Sequence, residues 1–330
     1  MNNADTIASA AHAAVEAAVW APSIHNTQPW SFAVSGDEIC LRADPDRKMR
    51  IGDPDGRQML ISCGAALFNV RVTLRALGWV PEVRVLPDPE RPLLVATVRV
   101  RPPGLSTPVE EHATLLHAEI ERRRTHRAGF TGLAVPDRLV AALVDAATAE
   151  GACLLPVVSK HAVRVLADLT SAAQEIQSQD RVYSLELLRW ARPPGSARRD
   201  GVPAGAYPSG PARTSPQHFA QRDYARGHPW GIETDQRITS ATGLVALLTT
   251  AGDGRRDWVA AGEALQRVLL HGSAYGLSAA FHTQALEMPE LREFIRRNLS
   301  SGRFPQMVMR LGFVLDESRS VRRPSAEMTD

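Results

Sequence analysis

The mixture of long helical patterns and short apolar runs in the sequence predicts an α+β or α/β protein. Apolar residues recur at helical spacing over 6–20, 57–77, 110–123, 137–149, 162–190 and 257–275. Strand-like runs lie at 31–34, 38–43, 82–86, 93–100, 153–158, 244–250 and 306–314. With 330 residues and 44% hydrophobic content, the chain can form one large domain or two closely packed ones.

The charge balance excludes several classes of partner. The 38 basic and 36 acidic residues leave a formal charge of +2, so no general field favours nucleic acid, an anionic membrane or an acidic partner. We therefore expect any anion site to be local. No run of about 18 apolar residues is present, and we expect no membrane span.

The cysteines and the common catalytic motifs exclude other classes of site. Cys40, Cys63 and Cys153 are odd in number and far apart, which argues against a disulfide framework and against structural zinc. A reducing cytoplasm is the expected location. The sequence has no complete dinucleotide fingerprint, Walker loop, HExxH or GxSxG, so we assign no catalytic residue and no metal ligand.

A short polar loop follows the first predicted helix, because Pro22 restricts the residue before it and ends the helical pattern. Hydroxyl and amide groups on a proline-stiffened turn suit hydrogen bonding to a flat heteroaromatic ring. A helix-to-strand turn whose polar side chains bond their own backbone explains the same residues equally well. The candidate ligand-binding residues here are Ser23, His25, Asn26, Thr27, Gln28, Pro29 and Trp30.

A second polar segment, 121–130, concentrates positive charge in a nearly neutral chain. It carries three consecutive arginines at 122–124, then Thr125 and Arg127. Guanidinium groups bind phosphate bidentately, which makes phosphate recognition the natural use of such a cluster. The alternative is a solvated helix end whose arginines oppose the negative end of the helix dipole.

Two long predicted helices echo each other in sequence. Gly64, Ala66, Leu67, Val70 and Gly78 align without gaps on a second set of small and apolar residues, namely Gly262, Ala264, Leu265, Val268 and Gly276. Such matches also arise by chance between any two helices. They indicate a repeat if the two helices pack as equivalents.

Residues 192–231 have no periodicity and hold 7 of the 23 prolines and 6 of the 23 glycines. A stretch of this length inside a compact chain is either a disordered insertion or a functional covering loop. Its aromatic residues favour a loop that packs on something, because disordered segments are usually poor in aromatics. They are Tyr207, Phe219, Tyr224 and Trp230.

Both polar segments resemble the nitroreductase family of flavoproteins. Residues 21–30 are similar to the family's APSxxNxQPW segment, and His25 makes the string most similar to the Acg-type branch. Arg124, Thr125 and Arg127 resemble the RSxR element with which nitroreductases hold the phosphate of FMN. The resemblance implies an α+β, nitroreductase-like fold with FMN as its cofactor.

The two halves of the chain divide the family's motifs between them. An ordinary nitroreductase builds its flavin site from RSxR of one subunit and the Pro/Asn/Gln loop of the other. Here residues 1–108 have the loop without RSxR, whereas residues 109–330 have RSxR without the loop. The resemblance therefore implies an internal pseudo-dimer with one FMN per chain, as a monomer or as a dimer of such chains.

The C-terminal region extends the resemblance. Residues 276–284 look like the family's GLxxx segment, which implies that the backbone N–H groups of Thr283 and Gln284 meet the flavin ring. Arg322 and Arg323 resemble the basic tail that returns to the phosphate. A frayed basic terminus explains these two arginines equally well without the resemblance.

The function that the resemblance implies is an oxidoreductase that passes hydride from NAD(P)H through FMN to a small aromatic acceptor of the nitro or quinone type. Residues 192–231 leave a second hypothesis open. As a lid that stays shut, they would produce a protein that sequesters FMN with little turnover. A third hypothesis keeps the fold, loses FMN and acts through partners.

Overall fold

The structure, a computed structural model, describes residues 3–104, 111–210, 213–233, 239–315 and 320–329. Its helices are α1 (Asn3–Ala18), α2 (Arg57–Ala76), α3 (Glu111–Ala118), α4 (Asp137–Thr148), α5 (Lys160–Gln179), α6 (Arg181–Trp190), α7 (Arg255–Ala274) and α8 (Pro289–Asn298). Its strands are β1 (Trp30–Ser35), β2 (Glu38–Ala43), β3 (Val80–Val85), β4 (Leu94–Arg101), β5 (Cys153–Pro156), β6 (Ala191–Arg192), β7 (Val202–Pro203), β8 (Leu244–Thr250), β9 (Leu277–Phe281) and β10 (Phe304–Phe313). The predicted α+β class is confirmed.

Two four-stranded antiparallel sheets have the same topology. The first sheet has the order β1-β2-β4-β3, and the second has the order β5-β8-β10-β9. In each unit a helix precedes the first strand, and a long helix connects the second strand to the third. The two units are therefore built from the same succession of elements, although long segments interrupt the second one.

The long helices α2 and α7 pack against each other at matched glycines. A Cβ on Gly64 would lie 2.1 Å from the carbonyl oxygen of Val259, and a Cβ on Gly262 would lie 2.0 Å from that of Ile61. Each glycine therefore packs against the carbonyl oxygen of the residue three positions before the other glycine. The two helices therefore pack as equivalents. This is the condition under which the aligned residues of α2 and α7 were expected to indicate a repeat.

Each sheet buries one face on its own long helix. The first core contains α1, α2 and the first sheet, with Trp30 and Phe32 fully buried. The second core contains α4, α7 and the second sheet. By length and composition α2 could cross a membrane, yet 83% of its most apolar stretch is buried inside the fold, as in a core helix. Cys40, Cys63 and Cys153 form no disulfide.

Several element predictions were wrong in their bounds. The single helix expected over 162–190 is two helices, because Asp180 is extended and its carboxylate accepts the N–H groups of Val182 and Tyr183. The helix expected over 110–123 ends at Ala118, and residue 110 lies outside the described residues. Strand β9 and helix α8 were not predicted.

Apart from the two-residue strand β7, which pairs with β6, and a 3-10 turn, the segment 192–231 is irregular, and its described parts pack on the fold. Tyr207 and Tyr224 are buried in a small apolar cluster with Tyr183 and Leu187 of α6. Phe219 is fully buried in a core beside β8 and β10. These aromatic side chains fix the segment to α6 and to the core beside β8 and β10.

Candidate functional site

A cavity lies where the two units meet, and residues of both units line it. The first unit contributes part of the polar loop and one face of α2, and the second contributes residues after α3 and parts of α7, β9 and β10. The segment 192–231 completes the wall. The lining residues are Pro22, Ser23, Ile24, His25, Gln58, Ile61, Ser62, Thr125, Arg127, Gln221, Arg222, Tyr224, Leu265, Phe281, Thr283 and Met307.

The polar loop has an unusual backbone. His25, Asn26 and Gln28 have φ values of 46°, 56° and 51°, a conformation that residues other than glycine rarely adopt. Each such residue costs about 1–3 kcal/mol and persists only where its surroundings hold it in place. The Ser23 hydroxyl accepts the N–H of Gln28 at 3.0 Å and helps to hold the loop.

Asn26 and Gln28 tie the loop to distant backbone instead of lining the cavity. Asn26 Nδ2 donates to the carbonyl oxygen of Gly201 at 2.9 Å and to that of Val321 at 3.1 Å. Gln28 Nε2 donates to the carbonyl oxygen of Arg199 at 2.9 Å. The same Gln28 side chain accepts the N–H of Arg323 through Oε1 at 2.9 Å. These amides position the loop against residues 199–201 and 321–323.

The rest of the loop divides between the cavity and the core. Thr27 and Trp30 are fully buried, and Trp30 packs in the first core. The carbonyl oxygen of Pro29 accepts the N–H of Asp44 at 3.0 Å. Of the candidates that the sequence placed in this loop, Ser23 and His25 are the ones that line the cavity.

His25 is neutral in this environment. Burial is the main cause that lowers its pKa well below the ordinary value, and the charges of Arg222 and Arg127 lower it further. Its Nδ1 lies 2.8 Å from the hydroxyl of Tyr224, and its buried Nε2 has no partner among the described residues. The loop thus presents an imidazole whose second nitrogen is available to a ligand.

Arginines gather around the carbonyl groups at the start of the polar loop. Arg322 Nη2 donates to the carbonyl oxygens of Trp20 at 3.2 Å and Ala21 at 3.3 Å, and Arg123 Nη2 lies 3.5 Å from that of Trp20. The guanidinium carbon of Arg124 lies 5.0 Å from the centre of the Trp20 ring. Pro22, two residues after Trp20, lines the cavity.

This cluster has an excess of positive charge. Burial, then the charges of Arg124 and Arg127, lower the pKa of Arg123 to about 9. Burial, then Arg123 and the same two neighbours, lower the pKa of Arg322. In the part of the chain that the structure describes, neither Arg123 nor Arg322 bonds a carboxylate, and each has a buried Nε without a partner. Buried cations of this kind require a counter-charge.

The other predicted residues are partly brought together. Thr125, Arg127 and Thr283 line the cavity. The side chain of Gln284 is buried and donates to the carbonyl oxygen of Ala220 at 3.1 Å, outside the cavity lining. Arg323 pairs with Glu327 at 3.3 Å, so its guanidinium points to a carboxylate and not to the arginine cluster.

Sequence reasoning missed a buried ion pair at the cavity wall. Arg222 pairs with Glu287, and Arg222 Nη2 also donates to the hydroxyl of Thr283 at 3.1 Å. The same guanidinium contacts Gln177 at 3.3 Å and the hydroxyl of Tyr183. No local pattern reveals this pair, because its partners lie far apart in sequence. Arg123 was also missed as a site residue, although it belongs to the run of three arginines at 122–124.

Comparison with known proteins identifies the family. No protein-family model matches the chain. A Mycobacterium tuberculosis H37Rv protein named putative NAD(P)H nitroreductase is 34% identical over 300 residues, covering 90% of this chain and 83% of that protein. The chain belongs to this nitroreductase family. The protein of the same strain named putative NAD(P)H nitroreductase acg is 29% identical over 301 residues, covering 91% of this chain and 87% of the relative. The predicted resemblance is confirmed.

Solved nitroreductase structures are similar to about two thirds of this chain. The FMN-dependent nitroreductase NfnB from Mycobacterium smegmatis, in complex with NADPH, is 18% identical, with a TM-score of 0.42 over 67% of this chain and 99% of NfnB. A Bacteroides fragilis nitroreductase with bound FMN is 12% identical, with a TM-score of 0.37 over 63% of this chain and 94% of that chain.

Proposed function

We propose that the chain binds one FMN in the cavity between its two halves, residues 1–108 and 109–330, which act as an internal pseudo-dimer. The observation that carries this proposal is the arginine cluster beside the cavity. The buried charges of Arg123 and Arg322 lack a carboxylate partner among the described residues, and a phosphate would supply the counter-charge. Arg127 reaches from that cluster to the cavity lining.

The cavity suits a molecule with a flat ring and an anionic end. Apolar side chains of both units form its walls, among them Ile61, Leu265 and Met307. Such surfaces suit the faces of an aromatic ring, whereas His25 and Thr125 offer polar atoms at its edge. FMN combines a planar ring with one phosphate. Nothing in the sequence indicates a second module for the adenosine half of FAD.

The corresponding place in the second unit supports one FMN per chain. There the residues after α4 stand where the polar loop follows α1 in the first unit. Glu150 occupies this turn and pairs with Arg71 at 2.6 Å and Arg267 at 2.7 Å. Glu263 pairs with the same Arg71 at 2.6 Å. Internal ion pairs thus fill the turn that would otherwise face a second ligand.

The reaction that we propose is NAD(P)H-dependent reduction of a small aromatic acceptor of the nitro or quinone type. FMN supplies the redox chemistry when it is bound. The protein's own residues hold the phosphate through the arginines, pack the ring between the two units and exclude water with the segment 192–231. The name of the 34% identical relative supports NAD(P)H as the reductant.

A second candidate function is FMN sequestration with little turnover. The attachment of the segment 192–231, called the covering segment below, favours sequestration. The buried ion pair between Arg222 and Glu287 fastens this segment to the cavity wall. A nicotinamide must stack close to the flavin to react, and a wall that stays in place prevents this contact.

Anaerobic spectroscopy tests these functions. The purified protein should be yellow, and extraction should give one FMN per chain. Under argon, NADH or NADPH should bleach the flavin of a reductase soon after mixing. Dithionite is the control for full reduction. Bleaching by dithionite alone would favour sequestration. A colourless protein that does not bind added FMN would contradict both functions.

A further inference from the structure

A hydrogen bond joins the polar loop to the covering segment at the cavity wall. The hydroxyl of Tyr224, in the segment 192–231, lies 2.8 Å from Nδ1 of His25. The two rings meet edge to face, with centroids 5.8 Å apart and planes inclined at 74°. Both residues line the cavity, and both are more than nine-tenths buried.

This contact links the tautomer of His25 to the hydroxyl of Tyr224. A neutral imidazole has one N–H donor and one acceptor nitrogen, and a hydrogen bond at one nitrogen fixes the role of the other. Among the described residues, Nδ1 is the one hydrogen-bond partner of the Tyr224 hydroxyl. A phenol hydroxyl can donate to Nδ1 or accept from it. When it donates, the ring proton resides on Nε2.

His25 differs from a core histidine whose bonds are complete. His282, also fully buried, lies 3.3 Å from the carbonyl oxygen of Ala220 through Nδ1 and accepts the N–H of Arg310 through Nε2 at 2.8 Å. In His25 the Nε2 atom has no protein partner among the described residues, and φ is 46°. A strained residue with an unsatisfied ring nitrogen beside a cavity is typical of a ligand contact.

We propose that Tyr224 is a positioning residue that holds His25 as the Nε2–H tautomer, so that Nε2 donates a hydrogen bond to an acceptor atom of the planar ring in the cavity. This inference rests on the proposed FMN site for the identity of the ring. Because Tyr224 belongs to the covering segment, the donor is set only while that segment is in place. The position of the segment is thereby coupled to the electronic environment of the ring.

Nitrogen NMR of the histidines tests the pairing directly, with or without flavin. We expect the Nε2–H form to dominate for His25 in the wild-type chain. Tyr224→Phe removes the hydroxyl and keeps the ring, and it should shift the tautomer ratio towards Nδ1–H by about 3- to 10-fold, the effect of one ordinary hydrogen bond. An Nδ1–H form in the wild type, or an unchanged ratio in this variant, would overturn the proposal.

Tyr207→Phe is the matched control. Tyr207 has the same 6% exposure as Tyr224 and lies in the same segment, with ring centroids 5.6 Å apart, yet its hydroxyl has no partner among the described residues. This variant should leave the His25 tautomer unchanged. A shift equal to that of Tyr224→Phe would show that the effect is loss of packing and would overturn the proposal.

Addition of FMN tests the donor role separately. Binding should shift the Nε2 resonance of His25 in the wild type and in Tyr207→Phe, and should do so less in Tyr224→Phe. Bound FMN with an unmoved Nε2 resonance would overturn the donor role. If FMN does not bind, the proposed function fails, while the tautomer ratio in the flavin-free protein still decides whether Tyr224 controls His25.

Discussion

Replacing Arg123 with methionine should stabilise the flavin-free protein and weaken FMN binding, two effects of opposite sign. Burial and two neighbouring arginines lower the pKa of Arg123 to about 9. At ~1.4 kcal/mol per tenfold change in proton affinity, the charged guanidinium costs the flavin-free fold at most ~5 kcal/mol. Replacing buried ionic groups with apolar ones of similar volume stabilises proteins by about 1–4 kcal/mol, which is the gain that we expect.

The pH dependence of this gain has a definite sign. Below pH 9 Arg123 is protonated in both the folded and the unfolded chain, so the full gain is present at neutral pH. As the pH rises above 9, folded wild-type Arg123 loses its proton and its penalty. The stability difference between Arg123→Met and wild type should therefore shrink in that range.

FMN affinity should fall in the same variant. A hydrogen bond to a charged group contributes about 1.5–3 kcal/mol, so loss of the Arg123 contact should raise the Kd roughly 10- to 150-fold. Urea unfolding followed by circular dichroism measures the stability, and titration calorimetry measures the affinity. Arg101→Met is the control, because Arg101 is 40% exposed and pairs with Asp37 and Glu82 at the surface. A flavin-free Arg123→Met protein that is less stable than wild type, or one with an unchanged Kd, would refute the reasoning.

Three further predictions concern the clamp, the stoichiometry and the symmetric helix contact. The double change Arg124→Ala and Arg127→Ala should reduce FMN affinity by about 3–5 kcal/mol, and unchanged flavin content after gel filtration would remove these residues from the site. Extraction should yield one FMN per chain, and two per chain, or FAD, would contradict the single site. Gly64→Ala or Gly262→Ala should destabilise the fold by several kcal/mol, because each Cβ would meet a backbone oxygen near 2 Å. Gly272→Ala on α7 should be tolerated, since its Cβ would have its nearest contact at 3.5 Å with a side chain, and equal unfolding midpoints for all three would contradict the close approach.

Periodicity predicted most of the fold because most elements bury one continuous stripe. It missed α8 because this helix is only 10 residues long and its apolar stripe is short, with Leu291 and Ile295 packed on the core beside β10 and mostly charged residues elsewhere. It also joined α5 to α6, because the apolar pattern continues past Asp180 and conceals the cap that separates them. The equivalence of α2 and α7 was visible as aligned glycines, since a close backbone approach restricts both positions to the smallest residue.

The site was predictable as a set of segments and not as a set of contacts. The polar loop and the arginine run were recognisable because their residue types follow each other in sequence. Which side chains face the cavity depends on partners far along the chain, such as Gly201 for Asn26. Likewise, the pair between Arg222 and Glu287 joins the covering segment to a turn after β9, and no sequence pattern connects these two positions.

The contacts that hold the covering segment in place determine whether the protein acts as a reductase or sequesters FMN. An opening that moved Arg222 would leave the buried Glu287 without its cationic partner, at a cost of about 3–5 kcal/mol. The open state would then be populated at roughly one part in 10² to 10⁴, and reduction by NAD(P)H would slow by that factor. An opening confined to residues 224–230 breaks the bond between Tyr224 and His25, at about 1 kcal/mol, and slows reduction only about fivefold. Turnover therefore requires that Arg222 stays paired while Tyr224 moves, and a store results if the two residues move only together.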